Sequence, residues 1–140
     1  MNQRSIRSLS LSTIALARQF GIRVTAEQVE EKISRGHISS QNDLEQTFKE
    51  QGIKLQYLKP ALRTLIERSY YFPCVAILRD GTSRILISCK VNEQNIAEFQ
   101  TIDPLDPTNK VVVENETEFK SSWNGAVSVS YTHLRAHETN

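Results

Sequence analysis

Cysteine, methionine and tryptophan are scarce in this chain of 140 residues, at two, one and one. Two cysteines, Cys74 and Cys89, are too few to staple a secreted scaffold. Without a secretory signal at the start, they read as small buried thiols in a reducing compartment. For the same reason the glycosylation sequon Asn115-Glu116-Thr117 carries no weight. Neither sign of charge dominates: 17 Lys and Arg against 16 Asp and Glu leave a formal charge of +1. Interspersed charges in that balance exclude a nucleic-acid platform and a polybasic membrane surface. No apolar run approaches the roughly 18 residues of a membrane span, so a soluble chain is expected. A glycine-rich phosphate-binding pattern, internal repeats and low-complexity segments are also missing. What is left is one domain, long enough to bury roughly two-thirds of its unfolded surface.

The stretch that is present and organises the rest is FPCVAILRDGTSRILISC, residues 72–89. Val75, Ile77 and Leu78 form one apolar run and Ile85, Leu86 and Ile87 a second, joined by Asp80-Gly81. That combination predicts a hairpin. Both runs are nearly continuous, so the two strands should be central and covered on both faces. Pro73 sets the start of the first.

Ahead of the hairpin, residues 1–7 read as an irregular lead-in. Leu11, Ile14, Ala15, Leu16, Ala17 and Phe20 recur at helical spacing from Ser8, and Gly21 stops that helix. Thr25 with Gln28 opens a second helix over residues 26–34, with Val29 and Ile33 inward. A third spans about residues 42–51, with Leu44 and Phe48 on one face. Ile53, Leu55 and Tyr57 alternate with polar residues as a short strand, and Pro60 begins a short helix through Ile66. Beyond the hairpin come a polar turn at residues 92–95, a strand over 99–102 and turn chemistry at 103–107. A brief strand at 111–113, a short helix at 116–123, a turn at Asn124-Gly125 and a last strand at 126–131 complete the chain. Helices first and then an antiparallel sheet make an α+β fold. Residues 132–140 break the pattern and are set apart from the domain, 1–131, as non-native tail. His133 and His137 within it lack a third ligand, so no metal site is expected.

Several local features, in order, carry a resemblance. They are the helix ending Phe20-Gly21, the Phe72-Pro73 lead into the strand pair, Asp80-Gly81, Ile102-Asp103-Pro104, and Trp123-Asn124-Gly125 before the final strand. Over about residues 2–131 the chain resembles the N-terminal peptidase or peptidase-like domain of bacterial ABC exporters, cysteine-peptidase family thirty-nine. The resemblance implies a papain-like fold. It also implies a cysteine thirteen residues before the glycine that ends the first helix, a position that falls on Ser8. The family's histidine, after the central turn, falls on Ser83, and its aspartate on Asp103. The glutamine that donates to the oxyanion falls near Asn2 or Gln3.

A thiol peptidase needs a thiolate, an imidazole that activates it and a group that orients the imidazole. Ser8 has no base in this alignment, because the Ser83 hydroxyl accepts no proton at neutral pH. Cys74 and Cys89 sit in core strands rather than at a helix N-terminus, where thiolates are stabilised. His37, in a Gly-His-Ile-Ser loop, reads as an exposed loop histidine and not as a replacement base. Asp103 is left to cap its own turn. The expectation is a degenerate peptidase with no catalytic residues.

Degenerate members resemble the N-terminal appendage of type I secretion exporters of the haemolysin kind. The implied function is binding of an unfolded secreted protein substrate, with the transmembrane and nucleotide-binding domains of the same exporter as further partners. No cofactor is expected in this chain, ATP belonging to the nucleotide-binding domain, and the place implied is the cytoplasmic face of the bacterial inner membrane. Tyr57, Tyr70 and Tyr71 are candidate substrate contacts beside the vacated site, since an amphipathic ring gives contact area at low entropy cost. Trp123 is expected in the core. Two alternatives stand beside this reading: an active cysteine peptidase cleaving double-glycine leader peptides, and a free-standing adaptor domain.

Overall fold

The computed structural model describes residues 2–19, 21, 23–68 and 71–132. The first helix, α1 (Gln3–Gln19), begins five residues ahead of the Ser8 start expected from the sequence. Asn2 is the reason: its Oδ1 accepts the Ser5 N–H at 2.7 Å, satisfying a donor that the helix leaves open. Ile6 and Leu9, each 1% exposed, anchor the early turns inside a stretch that looks polar. At the far end the Gly21 N–H donates to the Arg18 carbonyl at 3.1 Å with φ of +76°, a helix stop that suits glycine. Phe20 lies outside the described residues.

α2 (Ala26–Ser34) starts where Thr25 accepts the Gln28 N–H, and α3 (Gln41–Glu50) where Ser40 accepts the Asp43 N–H. Val29, Ile33, Leu44 and Phe48 are buried as their spacing predicts. β1 (Ile53–Leu58) alternates buried Ile53 and Leu55 with exposed Lys54 and Gln56. α4 (Leu62–Glu67) follows Pro60 without a side-chain cap.

The central hairpin is β2 (Cys74–Leu78) and β3 (Ser83–Val91). Then come β4 (Ala97–Ile102), β5 (Val111–Asn115), α5 (Glu116–Ser122) and β6 (Trp123–Thr132). α5 is opened by a reciprocal pair in which Asn115 Oδ1 accepts the Glu118 N–H and Glu118 Oε1 accepts the Asn115 N–H, each at 2.9 Å. Asn124-Gly125 is not the turn expected. The strand already begins at Trp123, and the pair sits in an irregularity where the β2–β6 register shifts between Ala76 and Leu78.

The sheet order is β1-β6-β2-β3-β4-β5, with every pairing antiparallel. β2 and β3 hold the two middle places. On one face α1, α2 and α3 enclose a core that includes Leu9, Leu16, Phe48, Ile53 and Val75. On the other, α4 and α5 enclose Leu65, Cys74, Leu86, Phe99, Phe119 and Trp123. Phe119 stacks on Phe99 with ring centroids 4.1 Å apart, and the Trp123 Nε1–H donates to the Ala126 carbonyl at 2.8 Å. Cys74 is buried, whereas Cys89 is only half-buried at the margin of the same core.

Candidate functional site

The positions singled out in the sequence as nucleophile and base meet at the junction of α1 with the start of β3. The β2–β3 turn sets one side. Asp80 Oδ1 accepts both the N–H and the hydroxyl of Thr82, at 2.9 and 2.6 Å. Those two bonds, the hydroxyl first, hold the Asp80 carboxyl below its ordinary value of 3.8, with smaller help from Arg84 and Arg4. Gly81 adopts φ of +88°, and a Cβ there would lie 2.5 Å from the Ser5 Oγ. Glycine is therefore required twice, for the turn and for the close approach of α1.

From α1, Ser8 and Ser12 project from one face, being four residues apart. Ser8 Oγ accepts the Ser83 N–H at 2.8 Å and lies 3.1 Å from the Ser83 Oγ. The Ser83 Oγ is in turn 3.1 Å from the Ser12 Oγ. Ser8, Ser12 and Ser83 are 0%, 0% and 1% exposed. The result is a closed chain of three hydroxyls tied to one backbone amide. None of the three titrates near neutral pH, and all are partnered within the protein. Ser12 was not singled out in the sequence; its i,i+4 spacing from Ser8 is the signal that could have found it. At this junction the three hydroxyls are buried and Ser5 of α1, itself 3% exposed, lies close over Gly81.

Asp103 stands across the β3–β4 pair, one step beyond the register pair Ile85–Ile102. Its Oδ1 accepts the Leu105 N–H at 2.9 Å, capping the turn, and lies 3.4 Å from Arg84 Nη1. The arginine that follows Ser83 thus takes up the carboxylate. Asn2, one of the two residues near the oxyanion-donor position, is committed to capping α1.

Tyr57 and Tyr71 do not converge. Tyr57 packs against the α1–α3 core and Tyr71 against the α4–α5 core, on opposite sides of the sheet. Tyr70 lies outside the described residues, as do His133 and His137. Burial, and after it the Glu45 carboxylate, pushes the Tyr57 phenol above its ordinary value. His37 is exposed and lines a hollow between α2 and α3 with Val24, Lys32, Arg35 and Thr47, a lining that includes none of the three serines. Burial raises the Cys74 thiol to about 12 and the Cys89 thiol to about 11, the latter helped by Glu116, so both are protonated at neutral pH.

Beside the hydroxyl chain, on the same face, is an apolar hollow of about 400 Å³ between the second half of α1 and strands β3 and β4. Ala15, Leu16, Pro73, Ile85, Ile87 and Ile102 line it, with Gln19 as its polar member. Among the described residues no group of three His, Cys, Asp or Glu side chains is placed to hold a metal ion. No helix among them is long and apolar enough to cross a membrane.

No family model matches the chain, and no curated protein does. Solved structures do match. A double-glycine-motif protease from an AMS/PCAT transporter, in complex with a leader peptide, superposes with a TM-score of 0.70 at 17% identity, over 94% of this chain and 86% of that one. The peptidase domain of Streptococcus ComA, a bifunctional ABC transporter involved in quorum sensing, gives 0.70 at 17% identity over 95% of each chain. The N-terminal peptidase C39-like domain of the toxin secretion ATP-binding protein from Vibrio parahaemolyticus gives 0.63 at 16% identity, over 95% of this chain and 99% of that one. Helices on an antiparallel sheet, in this order and over nearly the whole length, make the fold of this chain that of the C39 peptidase domains of ABC transporters, a papain-like fold.

Proposed function

We propose that this chain is a catalytically silent peptidase-like domain of a bacterial ABC exporter of the haemolysin-exporter kind, holding an unfolded secreted substrate near the transport machinery. The observation that carries the reading is the sealed Ser8–Ser83–Ser12 chain. At a nucleophile–base distance of 3.1 Å it holds two hydroxyls, and neither activates the other. Acyl transfer also needs a reacting carbonyl beside the nucleophile, and Ser8 offers no exposed surface. Asp103, bound to Arg84 and Leu105, has no imidazole to orient.

Substrate contact then falls to the apolar hollow on the same face, where leucine- or isoleucine-sized side chains of an unfolded segment would replace water. In this reading the domain carries no cofactor. ATP is used by the exporter's nucleotide-binding domain, and the domain stands on the cytoplasmic face of the inner membrane. A second reading, cleavage of double-glycine leaders, is favoured by the likeness to a protease solved with its leader peptide.

One experiment separates them. The isotopically labelled chain is titrated with an unfolded, calcium-free secreted substrate and separately with a double-glycine leader peptide, and the same tubes are read by mass spectrometry. Shifts clustered at Leu16, Ile85, Ile87 and Ile102 with both peptides intact are expected. A cut leader overturns the proposal in favour of the peptidase.

A further inference from the structure

The two outer strands of the sheet are unlike each other. β1, at one end of the order, alternates buried and exposed residues, with Lys54 and Gln56 turned outward, and α3 packs against it. A short strand with charged, alternating residues is a usual protection against unwanted pairing. β5, at the other end, has no such protection along its centre. Val111, Val112 and Val113 are 51%, 40% and 52% exposed, although their neighbours on β4 include the buried Thr101. The β4–β5 register runs from Val111–Ile102 to Asn115–Glu98 without a bulge, and no proline interrupts the strand. Among the described residues no strand pairs with its outer side. Three consecutive branched residues on a straight, open edge form a template for another strand.

The charges at the ends of the valine run specify which strand. The sequence reads Lys110-Val111-Val112-Val113-Glu114. If two copies pair antiparallel about a two-fold axis at Val112, Val112 faces Val112, Val111 faces Val113, and Lys110 of each copy faces Glu114 of the other. Opposite charges directly across a strand pair are favourable and like charges unfavourable. The register is consistent with the backbone as well. Paired residues share parity, so the residues whose N–H and C=O groups point away from β4 meet the outward-pointing residues of the second copy. The contact is isologous and closes on itself, giving a dimer and not a fibre.

We propose that β5 is a self-association edge, through which two copies of this chain pair β5 to β5 and join their sheets into one of twelve strands, twice the six of a single copy. The interface is a single strand pair and falls below the roughly 1,200 Å² of a standard stable complex, so the dimer is weak and concentration-dependent. The proposal is independent of whether the domain cleaves, since it uses none of the residues at the α1–β3 junction.

Sedimentation velocity of the full chain across a concentration series tests it. The expected result is a rise in mass from monomer to dimer, with slowed hydrogen exchange at Val112 or at its two neighbours. Lys110→Glu and Glu114→Lys, tested singly, each place like charges opposite one another twice per dimer and should weaken association about tenfold or more. An equimolar mixture of the two variants restores both attractive pairs and should dimerise as the wild type does. Surface charge changes of this kind leave the circular-dichroism spectrum unchanged, which serves as the folding control. A chain that stays monomeric throughout overturns the proposal, as does binding of extended peptides without self-association. Single variants that dimerise normally, or a mixture that fails to recover, refute the register and with it the charge argument. Disordered aggregation in place of a closed dimer also overturns it.

Discussion

Truncating the three buried serines one at a time should give a ranked set of losses, because the hydroxyls do not carry equal duties. Ser8→Ala removes the acceptor of the Ser83 N–H at 2.8 Å and leaves that amide unpaired in a position 1% exposed. A buried donor left unsatisfied costs about 1–3 kcal/mol, so about 2 kcal/mol is expected. Ser12→Ala removes only one end of a hydroxyl–hydroxyl contact, and Ser83 keeps Ser8 as partner; about 0.5–1 kcal/mol follows. Ser83→Ala leaves its own backbone bonded to Ser8 but strips Ser12 of its partner, and about 1 kcal/mol is expected. The triple alanine variant is the sharper measurement. It removes every hydroxyl that could be orphaned, so only the Ser83 amide remains unpaired, and the loss should stay near 2 kcal/mol, below the sum of the singles. With a urea m-value of about 2 kcal/mol/M for a chain of this size, Ser8→Ala lowers the unfolding midpoint by about 1 M. A Ser12→Ala loss as large as that of Ser8→Ala would refute the hydrogen-bond assignment. So would a triple variant whose loss equals the sum of the three.

Three further outcomes follow from the same geometry. Ser8→Cys with Ser83→His should leave a double-glycine leader uncut, because the imidazole would have to occupy the space held by the Ser12 Oγ at 3.1 Å; cleavage by this variant in a mass-spectrometric assay would show that the junction opens. With an aromatic disulfide at pH 7.5 the native chain should titrate at most one thiol, slowly and at half-buried Cys89, and both in urea, since burial raises Cys74 to about 12 and Cys89 to about 11. Two fast thiols in the native chain would contradict the burial. Asp80 has a folded pKa below its ordinary 3.8, so its contribution is present above that pH and lost as pH falls through the folded value. Urea midpoints measured from pH 5 to pH 2 should therefore fall less steeply for Asp80→Asn than for wild type, and an equal slope would remove Asp80 from the acid response.

Elements were legible where local chemistry and burial agree. Asp80-Gly81 between two apolar runs gave the hairpin, and Thr25 with Gln28 gave the start of α2 to the residue. The first five residues of α1 were not legible, because Asn2 caps the helix and only Ile6 marks its apolar face within Gln3 to Arg7. Asn124-Gly125 misled for the opposite reason. Its turn chemistry is real, with the Ala126 N–H donating to Asn124 Oδ1 at 2.8 Å, but it bends a strand that continues on both sides. At the site, Ser8 and Ser83 were placed by resemblance, whereas Ser12 and Arg84 were missed. The i,i+4 spacing of Ser8 and Ser12 puts both on one helix face, but the pattern does not report that Ser83 meets them there, or that the arginine next in the strand claims Asp103. Tyr57 and Tyr71 meet opposite sides of the sheet, and residue type carries no information about which side a side chain meets.

The arrangements at Ser8, Ser83 and Asp103 share a physical logic. A working triad keeps its polar groups incompletely satisfied, so that a substrate can complete them, and that incompleteness costs stability. Here each of the three positions has an internal partner. Ser8 accepts a backbone amide, Ser83 bridges two hydroxyls, and Asp103 holds both a turn and Arg84. The Ser5 hydroxyl also lies close over Gly81, where a Cβ would stand 2.5 Å from it. Satisfied and covered, these groups stabilise the packing of α1 on the sheet, beside the apolar hollow proposed to take the substrate. In the proposed silent domain, then, the polar groups at the family's catalytic positions bind one another and hold the shape of the fold without its chemistry.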